Sequence, residues 1–154
     1  MYKGLQATAA AFFTNAINPR TGRETSKMST RNAVVWFEIP AQDFDRAVQF
    51  YQTVLDIKLE VQEMPGWPRM AVFPYDCAAG VGGCIVDATP HHQPSTNGVT
   101  IYLCAGDDLA GALSRVEAAG GKAVLPKTLI CEEIGYMAHF IDCEGNRMAL
   151  HSLK

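Results

Sequence analysis

Two stretches of this 154-residue chain repeat apolar side chains at the helical period. In the first, Phe44, Ala47, Val48, Tyr51, Val54 and Leu55 fall on one face, and Asp43 stands where an N-cap accepts from the amides of the first turn. In the second, Leu109, Ala112, Leu113, Val116 and Ala119 share a face, with Asp108 as the N-cap and Gly120-Gly121 as the stop. A shift of 65 positions carries Asp43, Phe44, Ala47, Val48 and Tyr51 onto Asp108, Leu109, Ala112, Leu113 and Val116. The flanks repeat as well. A strand-like run precedes each helix, Ala33 to Ile39 and Val99 to Cys104. Three shorter strand candidates follow each. They are Lys58 to Gln62, Met70 to Tyr75 and Gly83 to Asp87, then Ala123 to Leu125 (running on toward Leu129), Tyr136 to Ile141 and Arg147 to Ser152. The pattern predicts an α+β domain over residues 32–154. It is built from two tandem βαβββ modules, 32–88 and 99–154, joined by a connector at 89–98. Two curved mixed sheets are expected, with helices on their outer faces and a concave cup inside. A cup lined by strand side chains suits a small ligand.

Residues 1–31 stand apart. Leu5, Ala9, Phe12, Phe13 and Ala16 form one short helical stripe, and the stretch from Asn18 to Arg23 reads as a turn-rich linker. This segment is expected to be an N-terminal extension, or an arm that packs Phe12-Phe13 on a second subunit. The net charge of −3 supplies no basic face for nucleic acid or acidic lipid, and no apolar run is long enough to span a bilayer. The five cysteines, Cys77, Cys84, Cys104, Cys131 and Cys143, are odd in number and show no C-x-x-C spacing. Reduced thiols in a cytoplasmic protein are therefore expected.

The motifs carry a resemblance. They are Val35-Trp36-Phe37-Glu38-Ile39-Pro40, Asp43-Phe44-Asp45-Arg46-Ala47 with Phe50-Tyr51, and Gly82-Gly83. In the second half they are Val116 to Lys122, Leu125-Pro126-Lys127-Thr128 and the closing Phe140 to Arg147. From about Asn32 to Leu153 the chain resembles the vicinal oxygen chelate superfamily of glyoxalase I, bleomycin-resistance proteins and extradiol dioxygenases. It is most similar to the single-domain bacterial glyoxalase-like (lactoylglutathione lyase-related) proteins. The resemblance implies the glyoxalase/bleomycin-resistance fold and a homodimer, with the arm at its interface. It also implies a divalent metal held by His, Gln or Glu from the first and last strands of each module. Those positions fall on Trp36, on Cys84 or Ile85, among Val99, Thr100 and Ile101 (Ile101 by the internal repeat), and on Ala149. None is a customary ligand of a hard divalent ion, and Cys84 alone carries a ligating atom. No metal or other cofactor is therefore expected.

What remains is a mostly apolar cup with a few polar groups. Strand alternation places Val34 and Glu38 with Trp36, and Arg147 and His151 with Ala149. Glu38 and His151 are candidate catalytic groups, as a general base or an acid–base pair, and an ion pair between Glu38 and Arg147 is the structural alternative. Trp36, Trp67, Cys84, Ile101, His139, Arg147 and Ala149 are candidate ligand contacts. Trp67 lies on a loop where an aromatic ring closes over a ligand. His91-His92 reads as solvated linker, and Cys143 as a turn thiol open to oxidation. The first functional expectation is a binding protein that takes a small, partly apolar molecule without the usual metal centre. The alternatives are a glyoxalase-type lyase or isomerase using a relocated metal or the Glu38/His151 pair, and a non-catalytic interaction module.

Overall fold

The computed structural model describes residues 32–76 and 80–154, and the expected arm and Cys77 lie outside them. The first module runs β1 (Trp36–Ala41), α1 (Phe44–Leu55), β2 (Glu60–Gln62), β3 (Met70–Val72) and β4 (Gly82–Asp87). The second runs β5 (Tyr102–Cys104), α2 (Leu109–Ala118), β6 (Lys122–Cys131), β7 (Gly135–Ile141) and β8 (Arg147–Ser152). Each module folds into a four-stranded mixed sheet, ordered β1-β4-β3-β2 and β5-β8-β7-β6. The pairs β1/β4 and β5/β8 are parallel and the others antiparallel. This is the duplicated α+β architecture that the repeat predicts.

Local chemistry fixes the helix ends. Asp43 accepts from the Arg46 amide at 3.0 Å, and Asp108 from the Gly111 amide at 2.9 Å. The last carbonyls of α1 are capped from the other module. Arg115 of α2 donates from Nε to Thr53 O at 2.9 Å and from Nη2 to Val54 O at 2.8 Å. Two strands run through proline, at Pro40 in β1 and Pro126 in β6. Both strands lie at sheet edges, where a missing N–H breaks no ladder.

Both helices pack on one face of each sheet, and those faces merge into a single core. An aromatic chain runs through it. The Phe73 ring lies 5.7 Å from Tyr51, Phe50 5.1 Å from Tyr51, and Phe140 6.1 Å from Phe50. Each sheet turns its other face away from the helices.

The turn between β7 and β8 ties the modules together. Asp142 is buried. Its Oδ1 accepts from the amides of Glu144 and Asn146 at 2.9 and 2.8 Å. Its Oδ2 accepts from Asn146 Nδ2 at 2.9 Å and from the Tyr51 hydroxyl of α1 at 2.6 Å. Asn146 Nδ2 also donates to Pro40 O at 2.9 Å. The Glu144 side chain is only 1% exposed. It accepts from the amides of Gln42 and Asp43 at 2.7 and 2.9 Å, and from Arg46 Nε at 2.8 Å. Gly145 holds φ +95°, the left-handed value such a turn requires. The Asp-Phe-Asp-Arg and Asp-Cys-Glu-Gly-Asn-Arg motifs are therefore two halves of one clamp.

Candidate functional site

Strand register decides which side chains face away from the helices. In the first sheet these are Trp36 and Glu38 of β1, Met70 and Val72 of β3, and Gly82, Cys84 and Val86 of β4. Met70, Val72, Cys84 and Val86 are buried there in a second, smaller apolar cluster, covered by Trp36, Met64 and Tyr75. The Trp36 ring lies against the backbone of β4. A Cβ on Gly82 would stand 2.6 Å from it, so the glycine is what makes room. The indole N–H of Trp36 is buried beside the Cys84 sulfur, with no oxygen or nitrogen partner among the described residues. Burial, reinforced by the Glu38 carboxylate, pushes the Cys84 thiol up to about 12, so it is protonated at neutral pH.

In the second sheet the corresponding face carries Tyr102, Met137, His139, Arg147, Ala149 and His151. Tyr102, Ala149 and His139 form one row across β5, β8 and β7. The Tyr102 hydroxyl lies 3.2 Å from His139 Nε2 and 3.9 Å from Met137 Sδ, with the two rings edge to face. His139 Nδ1 is buried without a partner among the described residues. Desolvation, then the charge of Arg147, lower the His139 pKa and favour the neutral ring.

A cleft of about 240 Å³ opens at the seam between the modules. Glu38, His92 and Arg147 line it together with apolar Ile101, Val99 and Met148. Glu38 has His92 Nδ1 at 3.6 Å.

The sequence-predicted residues separate into groups. Trp36, Cys84 and Ala149 face away from the helices, but Cys84 and Ala149 are fully buried and none of the three lines the cleft. Glu38, Ile101 and Arg147 meet in the cleft, and no Glu38–Arg147 ion pair forms. The proposed Glu38/His151 pair is not brought together. His151 Nε2 lies 2.8 Å from the carbonyl of Ile134, while Glu38 faces His92. Ile101 does not occupy the β5 position beside Ala149. Tyr102 does, because one residue fewer separates Tyr102 from its N-cap than separates Trp36 from Asp43. Trp67 is 52% exposed on the β2–β3 loop, outside the cleft lining. Two residues were missed. Tyr102 was recoverable from strand parity around the buried Leu103, whereas His92 carries no sequence signal that sets it apart from linker. Cys143 is the reverse case. Burial and its carboxylate neighbours Asp142 and Glu144 raise its thiol to about 12, which opposes the oxidation expected of an open turn thiol.

The sequence profile of the Glyoxalase/Bleomycin resistance protein/Dioxygenase superfamily matches residues 33–150. The chain belongs to this superfamily. Solved structures agree in fold. A glyoxalase/bleomycin resistance protein/dioxygenase domain from Frankia sp. EAN1pec superposes with TM-score 0.60 at 16% identity, covering 79% of this chain and 92% of its own. A glyoxalase/bleomycin resistance protein from Albidiferax ferrireducens T118 gives 0.57 at 17%, covering 77% and 97%. The genomically encoded fosfomycin resistance protein FosX from Listeria monocytogenes gives 0.55 at 17%, covering 80% and 92%. At these identities the likeness is one of fold. No curated protein matches.

The superfamily's metal can be tested against the residues present. With the β5 position moved from Ile101 to Tyr102 by the observed register, the ligand positions hold an indole, a protonated thiol, a phenol already engaged with His139, and a methyl group. Among the described residues no three His, Cys, Asp or Glu side chains cluster so as to hold an ion. This donor set does not fit a divalent cation of the harder kind. No helix of the described residues is long and apolar enough to cross a membrane.

Proposed function

We propose that this superfamily member binds a small, partly apolar molecule in the seam cleft and on the adjoining face of the second sheet, without a metal centre. The observation that supports this most is the replacement of ligating side chains by Trp36, Cys84, Tyr102 and Ala149 beside a cleft that keeps polar groups at its rim. An apolar surface with a few converging polar groups is the usual composition of a small-molecule site. Thermal-shift measurement over a metabolite and drug panel tests it. A binder at 100 times its Kd adds about 2.7 kcal/mol to stability and raises Tm accordingly. Equilibrium dialysis then confirms the stoichiometry. A complete panel without a shift would count against the reading.

One observation favours a second reading, an acid–base lyase or isomerase. His139 is biased toward the neutral form, contacts the Tyr102 hydroxyl and keeps a buried Nδ1 without a partner. A ring in that state can take or relay a proton. Conversion of a bound compound, lost in His139→Gln, would select this reading. We further propose a homodimer in the cytoplasm with the 1–31 arm at its interface. Exposed Leu129, Ile130 and Ile134 supply apolar surface that a partner would cover. Sedimentation equilibrium of the full chain, with and without residues 1–31, tests both parts.

A further inference from the structure

The seam cleft presents two opposite charges that do not neutralise one another. Arg147 enters from β8 and is exposed. Its guanidinium makes no hydrogen bond or ion pair among the described residues, while its backbone is tied to Ser95. Glu38 enters from β1 with its side chain 41% exposed, and its sole ion-pair neighbour among the described residues is His92 Nδ1, at the long distance of 3.6 Å. Both are carried by strands whose positions the Asp142/Glu144 clamp sets, so their separation is a property of the fold. Asn146, the residue before Arg147, donates to the carbonyl of Pro40, two residues beyond Glu38. The same cleft is lined by apolar Val99, Ile101 and Met148 and by polar Gln93, Ser95 and Asn146.

An isolated guanidinium fits a carboxylate with two parallel hydrogen bonds. A carboxylate whose one neighbour is an imidazole at 3.6 Å still fits an ammonium group. A cleft with one of each and an apolar wall discriminates against molecules that carry only one charge, because either the ligand's charge or the protein's is then left without its partner. We propose that the seam cleft takes a small zwitterion with an apolar body, of the α-amino-acid class, its carboxylate on Arg147 and its ammonium on Glu38. The inference rests on the small-molecule reading and narrows it.

Calorimetric titration of the full chain with probes that share one apolar body tests it. The probes are L-phenylalanine (both charges), its primary amide (cation), N-acetyl-L-phenylalanine (anion) and benzyl alcohol (neither). L-phenylalanine is expected to bind at least about tenfold more tightly than the other three. Arg147→Gln removes the advantage over the amide, and Glu38→Gln removes the advantage over the N-acetyl compound. Both side chains are exposed, so both variants keep the wild-type Tm. Arg147→Lys, which keeps the charge and loses the fork, retains part of the preference. Binding of all four probes within about twofold overturns the zwitterion and leaves the small-molecule reading standing. Failure of L-phenylalanine to bind at about 10 mM also overturns the proposal. The broader reading falls with it only if benzyl alcohol and the full panel fail as well.

Discussion

Tyr51→Phe isolates the bond that joins helix α1 to the turn of the other module. The substitution removes one oxygen and leaves the ring in place. That oxygen donates to Asp142 Oδ2 at 2.6 Å, in a fully buried setting with an acidic acceptor. Asp142 keeps its bonds from the Glu144 and Asn146 amides and from Asn146 Nδ2. The loss is therefore one hydrogen bond of the strong kind, about 1.5–3 kcal/mol. At about 2–4 °C per kcal/mol for a chain of this size, Tm falls by about 3–12 °C. Urea denaturation monitored by circular dichroism gives the same quantity as a shift in midpoint at unchanged slope. A double-mutant cycle sharpens the test. In an Asp142→Asn background the cost of Tyr51→Phe shrinks, with a coupling energy of about 1 kcal/mol or more. A Tm within about 1 °C of wild type, or strictly additive costs, would refute the view that this motif clamps the modules.

Three further outcomes follow from the same structure. Gly82→Ala places a Cβ 2.6 Å from the Trp36 ring and 3.0 Å from Tyr75, so it destabilises the chain by about 1–3 kcal/mol and blue-shifts or red-shifts tryptophan emission; unchanged Tm and emission contradict it. Cys84 and Cys143, both raised to about 12, stay protonated in the folded chain after an unfolded thiol has ionised. Stability is thus fully present below the ordinary thiol range and is lost as pH rises through it toward 12. Cys84→Ala flattens that decline in pH-dependent denaturation, and an unaltered slope above the thiol range speaks against it. His139 has the opposite sign. Its lowered pKa means that the unfolded ring protonates first, so stability is full above the ordinary histidine range and falls as pH drops through it. His139→Gln removes that acid-side loss, and an identical acid limb in the variant contradicts the assignment.

The duplicated fold was legible because both helices carry their own periodicity and their own Asp caps, and each copy corroborates the other. The strand registers were less legible. The helices repeat with a shift of 65, but Tyr102 stands one residue nearer its N-cap Asp108 than Trp36 stands to Asp43, so extending the same shift to the strands selected Ile101 over Tyr102. A one-residue slip exchanges the two faces of a strand, and the site assignment moved with it. The expected β6, Ala123 to Leu125 running on toward Leu129, is in fact Lys122–Cys131; it continues through Pro126 because it is an edge strand, and edge status is a property of the assembled sheet. The Glu38–Arg147 cleft was half visible. Both residues were placed on the correct faces, but their meeting depends on how the turn at 142–146 docks on β1, which no local pattern encodes. His92 joined it from a connector that reads as linker.

Metal content at the face turned away from the helices is the most direct test of the whole account. Untagged full-length chain is dialysed against Mn²⁺, Ni²⁺ and Zn²⁺ in turn, freed of excess ion, and assayed by inductively coupled plasma mass spectrometry beside its His91→Ala/His92→Ala variant. The account predicts far less than one ion per chain, with any residue of binding abolished by the connector substitutions. One tightly held ion per chain that survives those substitutions and is released by Cys84→Ala or Tyr102→Phe would contradict it.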